Sequence, residues 1–472
     1  MEAVTSPSNF TLQSSMVSAQ LGALAVVVGA LGASQASATH YPPASDSWFN
    51  ITWAVNGTGA PGIYSSSVTP DKSYGQYNWC SMPHVRKREY KVPSKDYELR
   101  YVEVIQRHHK RTPYASNTFF KEDISWDCSD EGPYNHAKSD DFKTTPVYWQ
   151  SQTGSQNPFE YTVGPGFVNS TCRFPSITSA GLDDSRQHGK DFGSIYRDTL
   201  KFLPKGSERS KYAFRVTNNV ITSQTLSGFA KGLYPDEKEY PAVMTTIHLN
   251  RPSSAAEGSN ADWMRHLNAS AEARTRFDAV SGIAEDDDAG WHTSWDHPYD
   301  NLSAKQCHQK PLPCSVNSTS TCVSQDDADT IYRLGNYEYG YRWRGSANST
   351  QLSALKMGPW FRELQAHLNA AAQETTSMKY LHNFAHDGSV SPVLGVLQIA
   401  YPVWPGMGSE VVFELWRNKT SKTHHVRVLW SGQPLLTSTP LGTLDMTPLE
   451  DFMTYLDDTI PSDLVTACSQ SL

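Results

Sequence analysis

The hydrophobic pattern of the chain is that of strands alternating with helices. β-Branched and aromatic residues alternate with polar ones from Glu98 to Gln106, which predicts a strand. Shorter runs of the same kind predict strands at 211–216 and 379–385. Residues 410–417 and 425–430 predict a hairpin with 418–420 in its loop.

Apolar residues with helical spacing separate these strands. One such helix ends near Leu203, before Pro204 and Gly206, and others run through Leu233 and Ala371. A further helix follows residues 386–388 and has Pro392 in its first turn. Strand–helix alternation at both ends of the chain predicts an α/β fold with a mixed, mostly parallel sheet flanked by helices.

Changes in composition divide the chain. Residues 21–32 are apolar and small, and 36–38 fit a small-x-small cleavage pattern, so we predict a signal peptide at 1–38. A membrane anchor is the alternative, because no Lys or Arg precedes the apolar run. We predict an N-terminal arm at 39–97, an α/β domain from 98–235 and 346–472, and a mainly helical insertion or cap at 236–345.

Composition excludes several classes of protein. The 472 residues are 38% hydrophobic and 11% aromatic, too apolar for a disordered chain. The formal net charge of −8 does not indicate a nucleic-acid partner, and an anionic substrate would need a local basic pocket. The apolar run near the N-terminus is too short for stable membrane insertion.

Two features of the chain indicate export to an extracellular space, a cell wall or a vacuole. Glycosylation sequons predict N-linked glycans, and they start at Asn50, Asn56, Asn169, Asn268, Asn301, Asn317, Asn348 and Asn418. Seven cysteines predict disulfides in an exported protein, with at least one left over. A zinc site at Cys307, Cys314 and Cys322 is the less favoured reading, because close CxxC pairs are missing.

Two polar clusters follow predicted strands, where ligand sites of open α/β sheets lie. The first, Arg107-His108-His109-Lys110-Arg111, offers planar guanidinium groups that match phosphate oxygens and an imidazole that can act as a nucleophile. The second is His386-Asp387. A solvated basic turn is the alternative reading of the first cluster.

The pattern R-H-x-x-R-x-P at 107–113, with the H-D pair at 386–387, resembles the histidine acid phosphatases, which include fungal acid phosphatases and phytases. Arg215-x-Thr217 and the run 232–235 fit the same family, as do Gly181 and Gly189, and the likeness extends from 98 to 430. It implies a phosphoglycerate-mutase-like sheet and phosphomonoester substrates, with no cofactor and no metal.

The resemblance also implies a mechanism. His108 would attack phosphorus and become a phosphohistidine, while Arg107, Arg111 and a positively charged His386 hold the phosphoryl oxygens. Asp387 would protonate the leaving group. An aspartate that must be protonated predicts an acid pH optimum.

Two positions depart from the family pattern. His109 stands where the family usually has Gly, and it is either a further phosphate contact, a second acceptor or a tolerated side chain. Ile221 stands where a third catalytic arginine is expected. Arg215 or Asn219 compensates, another segment supplies the cation, or activity is weakened.

Three functions therefore remain open: a general acid phosphatase, a phytase, and an exported binding protein that lost catalysis. A mutase-like enzyme is disfavoured by the H-D pair. The acidic and histidine residues at 292–300 could be read as a metal cluster, but we interpret them, including His292, Asp296, His297 and Asp300, as part of a surface or interdomain loop.

Overall fold

The structure is a computed structural model, and it describes residues 38–45, 50–120, 126, 162–163, 166–167, 175–203, 208–235, 244–247, 261–286 and 290–469. The predicted signal peptide lies outside the described residues except for Ala38, and so do Pro204, Gly206 and the sequon at Asn169.

Twelve strands occur in the described part of the chain. They are β1 (Tyr97–Arg107), β2 (Thr162–Val163), β3 (Gly166–Phe167), β4 (Tyr212–Thr217), β5 (Met244–Ile247), β6 (Cys314–Ser315), β7 (Ser318–Cys322), β8 (Tyr380–Ala385), β9 (Glu410–Asn418), β10 (His424–Trp430), β11 (Gln433–Pro434) and β12 (Thr447–Pro448). Eight of them form one sheet of order β11-β10-β9-β1-β8-β4-β5, with β12 beside β10.

The sheet is mixed. Strands β1, β8, β4 and β5 pair in parallel, whereas β9 runs antiparallel to β1 and β10 antiparallel to β9. Arg107 pairs with Ala385, and Val216 pairs with Phe384, so β1, β8 and β4 all end at one edge of the sheet. The predicted α/β fold is confirmed, and so is the predicted hairpin of β9 and β10.

Helices cover both faces of the sheet. The described helices are α1 (Ile51–Asn56), α2 (Pro70–Ser73), α3 (Ser179–Gly193), α4 (Val220–Leu233), α5 (Ala261–Ala269), α6 (Ala271–Ser281), α7 (Asp296–Cys307), α8 (Gln325–Gly340), α9 (Ser349–Ala372), α10 (Asp387–Val396), α11 (Leu449–Thr459) and α12 (Leu464–Ser469). Because α10 begins at Asp387, Pro392 lies in its second turn and not in its first.

Each face of the sheet has its own hydrophobic core. Helices α9, α10 and α11 pack on one face, where Phe361 and Val393 join Phe413 of β9. Helices α3 and α4 pack on the other. These two helices lie very close together: a Cβ on Gly189 would stand 2.0 Å from the carbonyl oxygen of Phe229. Glycine is therefore required at this crossing.

The predicted boundary at residue 236 does not coincide with the end of the sheet. Strand β5, at 244–247, pairs with β4 and so extends the central sheet into the segment that was expected to be largely free of strands. Helices α5 to α8 follow, and they share an aromatic core with Trp79 and Trp404. The strand was missed because its four residues are too few to show a period.

Disulfides join Cys80 to Cys307 and Cys314 to Cys322, which confirms the predicted disulfide chemistry for the described cysteines. Cys468 is unpaired and exposed. Among the described residues, no helix combines the length and the apolarity needed to cross a membrane.

Candidate active site

The ends of β1 and β8 bring the two polar clusters together. The backbone N–H of His108 donates to the carbonyl oxygen of Ala385 at 3.1 Å, and the ring centroids of His108 and His386 are 5.5 Å apart. Arg107 Nη2 lies 3.3 Å from Asp387 Oδ2. Two motifs separated by almost 280 positions thus form one site at the carboxyl edge of the parallel strands.

His108 has the protonation state of a nucleophile. Its Nδ1 lies 2.9 Å from the carbonyl oxygen of His109 and donates to it, so the lone pair is on Nε2. Burial, followed by the charges of Arg107 and Arg111, holds the pKa of His108 well below its usual value. The imidazole is therefore neutral and able to attack.

The two arginines of the first cluster are held in place by carboxylates and aromatic rings. Arg107 lies over the Trp79 ring at 4.5 Å and also donates to the carbonyl of Pro405. Arg111 donates to Asp300 Oδ1 at 2.9 Å and lies over the Tyr114 ring at 4.2 Å. Such contacts fix the planes of both guanidinium groups beside His108.

Asp387 begins α10 and is 19% exposed, whereas His108 is almost completely buried. Oδ2 of Asp387 accepts from Trp404 Nε1 at 2.6 Å and from the Tyr339 hydroxyl at 3.1 Å. Burial raises the pKa of Asp387, but Arg107, the Trp404 hydrogen bond and the Gly388 N–H outweigh it and lower that pKa to about 2. The carboxyl group is therefore ionised in the unliganded protein.

His386 is fixed by β4. Its Nε2 lies 2.7 Å from the hydroxyl oxygen of Thr217, the last residue of that strand. Burial lowers the pKa of His386 to about 4; Asp387 raises it, and Arg111 and Arg107 lower it further. The sequence predicted a positive donor here, but in the unliganded protein the ring is neutral above about pH 4.

Two predicted phosphate ligands lie elsewhere. His109 turns away from the site, and its Nε2 lies 3.2 Å from both Gln106 Nε2 and His188 Nδ1. Arg215 donates to Asn383 and to Glu363, each at 2.6 Å. Arg215 precedes the end of β4 by two residues, and Glu103 and Glu363 pair with its charge. Its contacts thus lie away from His108, and the contacts of His109 favour the reading of a tolerated side chain over that of a phosphate contact.

The first turn of α4 supplies no cation. Ile221 is completely buried, and Asn219 caps the helix by accepting from the Ile221 N–H at 3.2 Å. The Asn219 amide also lies 3.4 Å from the Tyr114 hydroxyl, whose ring covers Arg111. Of the two residues that were expected to compensate for Ile221, only Asn219 is near the site.

Sequence reasoning missed three residues of this site. Asp300, interpreted as part of a surface or interdomain loop, is buried and binds Arg111, while Tyr339 and Trp404 bind Asp387. No spacing in the sequence signals these contacts, because the partners come from distant helices and loops.

The residues near Asp300 do not form a metal site. His292 pairs with Asp278 at 2.9 Å, and His297 pairs with Asp296 at 2.7 Å. In the described ranges no group of three or more His, Cys, Asp or Glu side chains is arranged to hold a metal ion.

Comparison with known proteins gives matches over most of the chain. The profile of the histidine phosphatase superfamily (branch 2) matches residues 98–431. Counting factor 60 of Dictyostelium discoideum is 23% identical over 406 residues, which are 79% of this chain and 89% of that protein. Lysophosphatidic acid phosphatase type 6 of Bos taurus is 22% identical over 380 residues, 75% and 82% of the two chains. The structure of Hafnia alvei phytase with myo-inositol hexakis sulphate matches with a TM-score of 0.49 and 12% identity, over 80% of this chain and all of that one.

Proposed function

Because the chain belongs to branch 2 of the histidine phosphatase superfamily, we propose that it is an acid phosphatase that hydrolyses small phosphomonoesters through a phosphohistidine at His108. The observation that carries this proposal is the neutral imidazole of His108, which has a free Nε2 and feels the charges of Arg107 and Arg111, two guanidinium groups that Asp387 and Asp300 hold in place. Phosphoryl transfer needs mainly alignment and positive charge, and this arrangement offers both.

The reaction proceeds in two displacements. The Nε2 lone pair of His108 attacks phosphorus, the ester P–O bond breaks, and the departing alkoxide takes a proton from Asp387. Asp387, now a carboxylate, then removes a proton from water, which attacks phosphorus and breaks the P–N bond. Arg107 and Arg111 stabilise the charge that spreads over the phosphoryl oxygens in both steps.

The proton of Asp387 has to arrive with the substrate. The pKa of about 2 leaves the carboxyl ionised in the free protein, and a phosphomonoester monoanion carries one proton up to its second pKa of about 6. The bound phosphoryl group competes for Arg107, so the same proton moves to Asp387. The acid optimum then comes from the substrate, and not from the ordinary pKa of an aspartate.

We also propose that the protein is exported and glycosylated. Both disulfides among the described residues favour an oxidising compartment. Most described sequon asparagines are exposed, namely Asn50, Asn56, Asn268, Asn317 and Asn348. Asn301 is an exception, because it is 1% exposed and its side chain bonds the backbone of Phe119 and His297.

Rapid alkaline quenching and leaving-group dependence test the mechanism. The wild type should trap a phosphoenzyme that is labile in acid, and His108→Ala should trap none while it keeps its fold. Asp387→Asn should slow phosphoenzyme formation from alkyl phosphates about 10² to 10⁴-fold, and from aryl phosphates much less, because a good leaving group departs unprotonated. An equal loss for all substrates would refute the assignment of Asp387.

The same assays separate the other candidate functions. Inositol hexakisphosphate turned over faster than a simple aryl phosphate would make the protein a phytase. A protein that binds vanadate but traps no phosphoenzyme would be an inactive binding protein, as the loss of a cation at Ile221 would allow.

A further inference from the structure

Five buried polar side chains lie directly behind the proposed nucleophile, and we call them the buried histidine cluster: His84, Gln106, His109, His188 and Glu410. Each is at most 4% exposed. They come from the N-terminal arm, the end of β1, helix α3 and the start of β9. The proposed reaction uses none of them, yet polar groups are costly to bury unless they are paired.

The cluster contains a continuous chain of hydrogen bonds. His109 Nε2 lies 3.2 Å from His188 Nδ1, and His188 Nε2 lies 2.9 Å from Glu410 Oε2. Glu410 Oε1 accepts from the backbone N–H of Val85 at 2.8 Å. When His188 Nε2 donates to Glu410, His188 Nδ1 is left as an acceptor, and it lies 3.2 Å from the Gln106 amide nitrogen as well as from His109 Nε2.

Packing fixes the same chain from the sides. The His84 and His188 rings are stacked, with centroids 4.0 Å apart and planes 19° apart. The His109 ring fills the space beside Gly408, where a Cβ would stand 2.3 Å from it. Gly408 has a φ of +72° and donates its N–H to the carbonyl of His108. Gln106, His188 and Gly408 therefore fix the position of the His109 ring from three directions.

The chain reaches His108 through the backbone. The carbonyl oxygen of His109 is the acceptor that holds Nδ1–H of His108 at 2.9 Å. This bond selects the tautomer with a free Nε2 and sets the direction in which that lone pair points. Any rotation of the residue 109 backbone would turn the carbonyl and loosen the nucleophile.

We propose that His109 and His188 are positioning residues, which fix the His109 carbonyl and hence the orientation and tautomer of His108, while Glu410 holds the far side of the His188 ring. The inference rests on the proposed role of His108 as nucleophile. It gives a function to the histidine that replaces the usual glycine: its side chain anchors the backbone from behind and does not contact phosphate.

Two substitutions of His188 test the proposal, since each keeps one half of the chain. An Asn amide reaches the place of Nδ1, so His188→Asn retains the contact to His109 and loses Glu410. A Gln amide reaches the place of Nε2, so His188→Gln retains Glu410 and loses His109. We expect His188→Gln to lower kcat and the rate of phosphoenzyme formation about tenfold, which equals about 1.4 kcal/mol, with KM changed less than about twofold. His188→Asn should keep kcat within about threefold of wild type.

The matched control is His367→Gln on helix α9, which breaks a 2.9 Å bond to buried Glu103 of β1 and should leave kcat unchanged. Vanadate, which binds like the transition state, should lose affinity in His188→Gln more than inorganic phosphate does. Equal kcat in the two His188 variants, or losses that follow melting temperature alone, would overturn the positioning role. A wild type that traps no phosphoenzyme would instead refute the proposed function, and the positioning role with it.

Discussion

The hydrogen bond from Trp404 to Asp387 can be removed by one aromatic substitution, and its removal should shift the pH dependence of the enzyme in one direction only. Trp404→Phe deletes the indole N–H, which lies 2.6 Å from Asp387 Oδ2. Hydrogen bonds to charged groups contribute about 1.5–3 kcal/mol. At 1.36 kcal/mol per unit, the pKa of Asp387 should rise from about 2 by roughly one to two units.

The profile of kcat/KM reports the pKa values of free enzyme and free substrate. The active complex contains one proton shared between Asp387 and the phosphoryl group, so the wild-type profile should fall below about pH 2 and above about pH 6. In Trp404→Phe the acid limb should move to about pH 3–4. The alkaline limb should stay in place, because it belongs to the substrate.

Steady-state kinetics with one alkyl phosphate between pH 3 and 8 measures the alkaline limb of both proteins and the acid limb of Trp404→Phe. Tyr339→Phe, which deletes a longer bond of 3.1 Å, should move the acid limb less. Trp360→Phe, in the core under α9, controls for the loss of a buried indole. An acid limb that stays below pH 3 in Trp404→Phe, or an alkaline limb that moves with it, would refute the reasoning.

The same ionisation contributes to stability. A folded pKa of about 2, below the unfolded value of about 3.9, stabilises the fold above pH 4 by roughly 2–3 kcal/mol. This contribution declines as pH falls toward the folded value. Unfolding of each variant at pH 3 should therefore be followed by circular dichroism, so that loss of activity is not confused with loss of fold.

Two further substitutions have simple expected outcomes. Thr217→Val keeps a β-branched residue at the end of β4 but removes the 2.7 Å partner of His386. We expect kcat/KM to fall about tenfold while the melting temperature changes little. An unchanged kcat/KM would show that His386 needs no such partner. Asn301→Gln should remove no glycan, because the wild-type side chain is buried, and it should lower the free energy of unfolding by about 1–3 kcal/mol. Mass spectrometry of glycopeptides measures the first effect and urea denaturation the second. A glycan found on Asn301 would contradict the structure.

The strands that carry the site could be predicted because they are long or strongly apolar. The strand expected at 98–106 occurs at Tyr97–Arg107, and that expected at 379–385 occurs at Tyr380–Ala385. Their pairing could not be read from periodicity, since a pattern defines a strand but not its neighbour. The resemblance to a family supplied that step, and the register of Arg107 with Ala385 agrees with it.

Side-chain direction was the part of the site that could not be predicted. His109 follows His108, but the chain leaves β1 there, and the two rings point to opposite sides of the backbone, one to the site and one to His188. Arg215 was expected at the phosphate because a cation within a family motif is readily interpreted as a phosphate ligand. Its carboxylate partner Glu363 is 148 residues away, and no local pattern could have shown it.

The charges of the site explain how substrate binding can lead to protonation of Asp387. Without phosphate, Arg107 is paired with Asp387 and Arg111 with Asp300, so the two cations are compensated by two carboxylates. A phosphoryl group that binds here competes with Asp387 for Arg107. The more strongly Arg107 binds the phosphoryl oxygens, the weaker is the attraction between Arg107 and Asp387 that keeps this carboxyl group ionised. Asp300 is buried and also accepts from the Tyr114 N–H at 3.0 Å, which holds it beside Arg111. Under the proposed mechanism, phosphate binding therefore raises the pKa of Asp387, the carboxyl group that we assign to the leaving group.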